Sequence, residues 1–201
     1  QIKEDVIVKD FVNQIEIFSE YISYDKKNEI IKSINETQID YKKEFKIFTK
    51  NLEFDKSNYL LSSNNNTLIN DNFGNKFTLS TFNFNINKKI LKAIKITLSD
   101  NKENSVFVNN GYLNLNTNEL VGSDFQLSLN KNFFGNSEND PRLIGRYIIT
   151  NKSETTMKKS TFTTCKKVDG KCPEQSGDRP LAWSRIPEST QRSTVRTMES
   201  R

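Results

Sequence analysis

Apolar residues alternate with polar ones along this chain in short stretches, and the stretches recur. Ile22-Ser23-Tyr24-Asp25-Lys26-Lys27-Asn28-Glu29-Ile30-Ile31 aligns with Leu52-Glu53-Phe54-Asp55-Lys56-Ser57-Asn58-Tyr59-Leu60-Leu61 at an offset of 30, and with Phe82-Asn83-Phe84-Asn85 to Leu91 after another 30. A fourth copy, one residue shorter in its turn, runs from Leu113-Asn114-Leu115-Asn116 to Leu120-Val121. Alternation with a period of two predicts strands with one buried face. The Asp/Asn-rich centres predict turns, because these side chains bond to nearby backbone and tolerate left-handed conformations. Each copy therefore reads as a hairpin.

The apolar pattern extends upstream of each copy with a change of parity. Ile15 and Ile17 precede Ile22 and Tyr24, Phe45 and Ile47 precede Leu52 and Phe54, Phe77 precedes Phe82, and Val106 and Val108 precede Leu113. A regular strand that did this would turn half its apolar residues outward. A bulge or corner restores the facing, so the pattern predicts strands that bend between two sheets. The expected fold is all-β, a repetitive two-sheet β-jelly roll or solenoid built from hairpin units of about 30 residues whose repeats contact mainly their neighbours. Its inward set would be Ile22, Tyr24, Leu52, Phe54, Phe82, Phe84, Ile94, Ile96, Leu98, Leu113, Leu115, Phe125, Leu127 and Leu129. Such a set makes either a closed dry core or an open groove for acyl chains, and spacing does not separate the two. A stack of this kind ends in open strand edges, and the one near Val6 to Ile22 is available for strand addition.

Composition narrows the picture. Only 34% of the 201 residues are hydrophobic, yet 14 Phe and 6 Tyr are present, which suits sheets with one wet face. No apolar run is long enough for a membrane-spanning helix. Gln1 to Asp10 carry charges and no apolar h-region, so they do not read as an intact signal peptide, and the chain is expected to be a mature form or a fragment. The net charge of +5 is spread among Glu, Asp and Asn, which argues for a solvated surface and against a nucleic-acid patch. Histidine is absent, which removes the commonest general base and metal ligand. No cofactor or metal is expected. Cys165 and Cys172 do not make a CxxC pair, and a zinc site would lack further ligands. They are disulfide candidates, able to pair with each other around Asp169-Gly170 or to remain as two thiols.

The repeat, with Phe18-Ser19-Glu20-Tyr21-Ile22-Ser23-Tyr24-Asp25 and Leu52-Glu53-Phe54-Asp55-Lys56, resembles the OstA-type β-jelly roll of lipopolysaccharide-transport proteins. The segment Asn139-Asp140-Pro141-Arg142-Leu143-Ile144-Gly145-Arg146, then Phe162-Thr163-Thr164-Cys165-Lys166-Lys167 and Gly170-Lys171-Cys172-Pro173, resembles the join between jelly roll and barrel in the LptD/OstA family. The resemblance covers about residues 11–173. It implies a jelly-roll domain over 1–138, a Cys-containing connector over 139–173 toward a barrel that is missing here, and a location at the periplasmic face of the outer membrane. It implies a non-catalytic role. Lipopolysaccharide would arrive from a periplasmic LptA-like bridge protein paired through edge-strand addition, and its acyl chains would pass along Ile22, Tyr24, Leu52, Phe54, Phe82, Phe84, Ile96, Leu113, Leu115, Phe125 and Leu127. An outer-membrane lipoprotein would be the partner of the barrel. In the family, cysteines near this boundary form disulfides with the barrel, and an oxidising compartment favours such bonds.

Residues 174–201 break the pattern. Before them lie 23 Lys and two Arg, and within them five Arg and no Lys or Asn. The shift reads as a frame change or foreign sequence, or else as a basic tail for nucleic acid or anionic lipid, and disorder is expected beyond about Cys172. Two other functions compete with the lipid conduit. One is a structural or adhesive β-solenoid with a dry core. The other is a carbohydrate-processing β-helix using paired carboxylates. Asp25 and Asp55 are repeat-equivalent, but Asn85 and Asn116 stand in the later copies. A turn role explains that interchange, whereas acid–base chemistry does not.

Overall fold

The computed structural model describes residues 6–117, 119–135, 140–151, 154–165 and 184–185. They form an all-β fold of fifteen strands: β1 (Val6–Asp10), β2 (Ile15–Asp25), β3 (Ile30–Tyr41), β4 (Phe45–Lys50), β5 (Glu53–Asp55), β6 (Leu60–Ser63), β7 (Thr67–Asp71), β8 (Lys76–Leu79), β9 (Thr81–Asn85), β10 (Ile90–Ser99), β11 (Ser105–Asn114), β12 (Glu119–Ser128), β13 (Arg142–Thr150), β14 (Thr155–Thr163) and β15 (Ser184–Arg185). A single 3-10 turn, Lys131–Phe134, interrupts them. All pairings are antiparallel. β4 with β5, β6 with β7, and β8 with β9 are halves of interrupted strands. β3 and β10 each pair with both halves of a neighbour, so eight segments close into a ring of pairing and the other strands extend it on either side. Turns at 26–29, 56–59 and 86–89 fall where the repeat predicts them, and a second set at 11–14, 42–44, 72–74 and 101–103 joins the strands at their other ends. A clean separation into two sheets is not delineated by the pairing.

The change of parity has a physical origin visible in the backbone. Asn35, Asn51, Lys95, Asp124 and Lys159 each adopt a left-handed conformation (φ 49° to 65°) in the middle of a long strand or at the join of two halves. At Asn51, Lys95, Asp124 and Lys159 inward residues step by three instead of two, and at Asn35 by four, from Ser33 to Thr37. Thr49 is followed by Leu52, Ala93 by Ile96, and Gly122 by Phe125. Beside the corner, small hydroxyl side chains turn inward and bond to one another and to neighbouring carbonyls. Ser63 Oγ donates to the Lys50 carbonyl at 2.8 Å, Ser19 Oγ to the Glu36 carbonyl at 3.1 Å, and Thr49 Oγ1 to Ser63 Oγ at 3.0 Å. These bonds satisfy groups that a bend removes from the strand ladder.

Two glycines show how tightly the far half is packed. A Cβ on Gly122 would lie 2.6 Å from Val108 Cγ1, and one on Gly145 would lie 2.5 Å from Phe125 Cε1. The missing side chains are the space into which Val108 and Phe125 pack. Among the residues expected in the connector, those of β13 and β14 continue the sheet beyond β12 and bury Leu143, Ile148 and Met157, so the sheet runs past residue 138. Most of the tail lies outside the described residues, but Ser184 and Arg185 pair with Thr161 and Phe162.

The turns at one end repeat a single device. Asp25 Oδ1 accepts from the backbone of Lys27 and Asn28, and Asn28 Nδ2 donates to Asp25 Oδ2 at 2.7 Å. Asp55 with Asn58 repeats it, followed by left-handed Tyr59, as left-handed Glu29 follows Asn28. In the fourth copy the acceptor is Asn114, bonded to the backbone of Asn116 and Thr117. The true register of that copy therefore sets Leu113 against Phe54 and Phe84, and Gly111 against Leu52 and Phe82. This corrects the alignment by two residues. The Asn28 and Asn58 bonds hold the Asp25 and Asp55 carboxyls below their usual range.

Two outcomes follow from this packing and these turns. Gly122→Ala should lower the unfolding free energy by about 2 kcal/mol, seen as a fall in the urea midpoint with an unchanged slope. Because the folded Asp25 and Asp55 values are depressed, their contribution to stability is complete above about pH 4 and is lost as pH falls through the lower folded values. A double variant Asp25→Asn, Asp55→Asn should therefore show a flatter acid limb in urea unfolding measured across that range.

Candidate functional site

The inward residues fall into two apolar ladders that run across the strands. One is Ile31, Phe54, Leu61, Phe84, Leu91, Leu113 and Leu120, each registered opposite the next. The other is Ile17, Ile39, Ile47, Ile69, Phe77, Leu98, Val106, Leu127, Leu143 and Phe162. At about 4.8 Å between strands, its nine intervals extend about 43 Å. No polar side chain interrupts either ladder.

The ladders face each other because the sheet folds over. Ile31 and Tyr41 lie ten residues apart on β3, about 33 Å if that strand were straight. Phe84 is three strand intervals from Ile31, yet its ring meets that of Tyr41 edge-on with centroids 5.3 Å apart. The two ends of the strands are thus brought together, and so are their rows of turns. One row holds turns 11–14, 42–44, 72–75 and 100–104, stitched by bonds such as Lys42 N to the Gln14 carbonyl and Asn72 N to the Glu44 carbonyl. The other holds 26–29, 56–59, 86–89 and 115–117, stitched by Lys56 N to the Glu29 carbonyl, Ile86 N to the Tyr59 carbonyl and Leu115 N to the Lys89 carbonyl. Lys56 of the second row acts on Asp10 at the head of the first. Burial opposes ionisation of Asp10, but the Asn13 bonds, Lys56 and the Val12 amide outweigh it and lower its pKa.

Tyr41 sits under the meeting line of the rows. It is 1% exposed, and its hydroxyl has no hydrogen-bond partner. Burial, with Glu44 nearby, raises its pKa. The Lys42 ammonium lies 5.4 Å from the centre of its ring. Burial and the adjacent Lys89 ammonium lower the Lys42 pKa against an opposing effect of Glu44. Below them a cavity of about 10 Å³ is walled by Phe45, Ile47, Phe77, Phe84, Leu113 and Leu115 among others. That is roughly room for one water, which needs two or more polar partners. Among the described residues, this end of the interior is filled by its own side chains.

Of the predicted inward residues, Leu52, Phe54, Phe82, Phe84, Ile96, Leu113 and Phe125 are buried, and Ile22, Leu98, Leu115, Leu127 and Leu129 are half-buried against them. Two expectations are corrected. Tyr24, opposite Ile31 on the same face, is 51% exposed, because among the described residues β1 covers β2 only from Ile15 to Ser19. Ile94 is 43% exposed, because left-handed Lys95 reverses parity after Ala93. Leu115 occupies a turn and not a strand, where it closes the end of the interior. Asn116, read as an equivalent of Asp25, lies in the same turn. Tyr41, Lys42 and Lys89 were not singled out by the pattern, since only folding-over brings them together.

Cys165 is disulfide-bonded, and Cys172, the other cysteine of the chain, lies outside the described residues. The Cys165 backbone is held to β13 by Arg142, whose buried guanidinium pairs with Asp140 and donates to the Cys165 carbonyl at 3.0 Å. No group of three or more metal-ligating side chains occurs among the described residues. No protein-family model and no curated protein matches the chain.

Removing the unpartnered hydroxyl tests the interior directly. Tyr41→Phe should leave stability unchanged or raise it by about 1 kcal/mol in urea unfolding, because a buried donor without a partner carries an uncompensated desolvation cost.

Proposed function

We propose that this chain is a non-catalytic lipopolysaccharide-binding and transfer domain with the OstA-type two-sheet jelly-roll architecture. The observation that carries the reading is the pair of uninterrupted apolar ladders facing each other across the folded-over sheet. Along the strands that interior is walled by backbone hydrogen-bond ladders. The line where the two rows of turns meet is bridged by side chains instead, Tyr41 against Phe84 and Lys56 toward Asp10. Acyl chains would enter by parting the rows and would exchange Tyr41–Phe84 contact for contact with lipid. The likeness of the Asn139–Pro173 segment to the LptD/OstA family supports the same reading, with a location at the periplasmic face of the outer membrane and a barrel and its lipoprotein partner beyond this chain.

The edge of the stack supports a docking partner. Among the described strands β1 pairs only with β2, and the edge of β2 from Tyr21 to Asp25 carries no neighbour. Half-buried Ile22 and exposed Tyr24 lie at that edge. An LptA-like bridge protein adding its last strand here would continue both the backbone ladder and the apolar lining. The closed interior favours a second reading, a structural or adhesive solenoid with a dry core.

Photo-crosslinking separates the two. A benzophenone side chain in place of Phe54, Phe84 or Leu115 should capture lipopolysaccharide, while the same probe at outward-facing Phe48 or Tyr112 should not. Capture confined to the outward positions would defeat the conduit and leave the dry-core solenoid.

A further inference from the structure

Lys42 and Lys89 come from opposite rows of turns, 47 positions apart in the chain; the Tyr41–Phe84 contact brings the rows together, the Lys42 ammonium lies 5.4 Å from the centre of the Tyr41 ring, and Lys89 is near enough to act on its charge. Both are half-buried, and neither belongs to an ion pair among the described residues. The two cations repel each other, and the Glu44 carboxylate of the same turn as Lys42 offsets that repulsion only in part. Directly beneath is the Tyr41 hydroxyl, buried and unpartnered, at the wall of an apolar cavity. An open cleft of about 460 Å³ adjoins Lys42 on its other side. That cleft is lined by as many carboxylates as ammonium groups, Asp10, Glu16 and Asp40 against Lys9, Lys42 and Lys43. From outside inward, the order is paired cations, one hydrogen-bond donor and apolar interior. That order matches an amphiphile with an anionic group at the junction of headgroup and chains.

We propose that Lys42 and Lys89 form an anion clamp at the mouth of the interior, taking a phosphate of a phosphorylated, multiply acylated lipid while the Tyr41 hydroxyl donates to an acyl ester or amide oxygen below it. The assignment rests on the lipid-binding reading above and adds where the headgroup sits. Clamp and ester contact are separable: the two lysines set the preference for phosphate, and Tyr41 acts on any lipid carrying the acyl linkage.

Binding to the full chain is measured by displacement of a fluorescent fatty-acid probe, using bisphosphorylated lipid A and the same lipid with both phosphates removed enzymatically. The unaltered protein should bind the phosphorylated form about tenfold more tightly, the effect of one charge-assisted contact. The double variant Lys42→Gln, Lys89→Gln should lose that preference and keep its affinity for the dephosphorylated lipid. Lys46→Gln with Lys76→Gln, which removes equal charge from the outer face, should keep the preference. Tyr41→Phe should weaken both lipids alike. Inorganic phosphate alone should displace no probe; displacement by it at equal concentration would make this a free-phosphate site and overturn the lipid assignment. A preference that survives loss of Lys42 and Lys89, or that disappears equally with Lys46 and Lys76, overturns the clamp. Affinities unchanged by Tyr41→Phe overturn the ester contact. Failure of the unaltered protein to bind either lipid overturns the lipid-binding reading and the clamp with it, whereas equal binding of both lipids overturns the clamp alone.

Discussion

The whole structure depends on the bend in the middle of its strands, which most of them make with a reversal of parity. A sheet of twelve-residue strands left straight would present one flat apolar face about 36 Å wide, with nothing among the described residues to cover it. The left-handed residues at Asn35, Asn51, Lys95, Asp124 and Lys159 bend the strands while keeping the same face inward on both sides of the bend. A left-handed conformation costs an ordinary residue about 1–2 kcal/mol, less for Asn and Asp. Burial offsets it, since one buried Leu or Phe contributes about 1.5–3 kcal/mol and each corner turns several inward. The inward hydroxyls of Ser19, Thr49 and Ser63 belong to the same solution, because a bend that stranded its carbonyls would lose much of what burial provides.

That constraint explains which parts of the molecule are legible in the chain. The corners are, because a change of parity repeated at Ile17/Ile22, Ile47/Leu52 and Phe77/Phe82 has no other use in a strand. The turns are, because Asp25 and Asp55 with their Asn partners carry their own bonding. The fourth copy is misread where its inward position is Gly111. A glycine leaves no apolar signal, and the space it leaves is taken by Ile96 of the adjacent strand and by Val108 of its own. Tyr24 is misread because a repeat implies a neighbour on either side, and among the described residues the first copy has one on a single side. Ile94 is misread because alternation was carried one residue past its corner at Lys95.

The candidate site lies outside what alternation reports. Lys42, Lys89 and Tyr41 stand in three unremarkable polar or strand-end contexts, and Lys is common throughout. Only the angle through which the sheet folds sets one row of turns against the other. The offset of the rows depends on that angle together with the twist of the strands. Ser19, Thr37, Thr49 and Thr67 pose the reverse problem, since in a strand a hydroxyl reads as outward while here all four are buried.

The closed interior and the conduit reading are compatible because the walls differ in strength. Parting adjacent strands anywhere along the ladders would break several backbone bonds at once and expose their partners to an apolar space. Parting the rows of turns would break an aromatic edge contact, worth about 0.5–1.5 kcal/mol beyond its area, and would relieve the repulsion between Lys42 and Lys89. The area uncovered by opening is the area an acyl chain would cover again. The unpartnered Tyr41 hydroxyl makes the closed form less stable than an all-apolar seam would be, so the gap between closed and lipid-filled states is narrowed from the closed side. A domain whose only task was to be a dry core would gain stability with Phe at that position, and the placement of a donor there is the feature of the interior that packing alone does not account for.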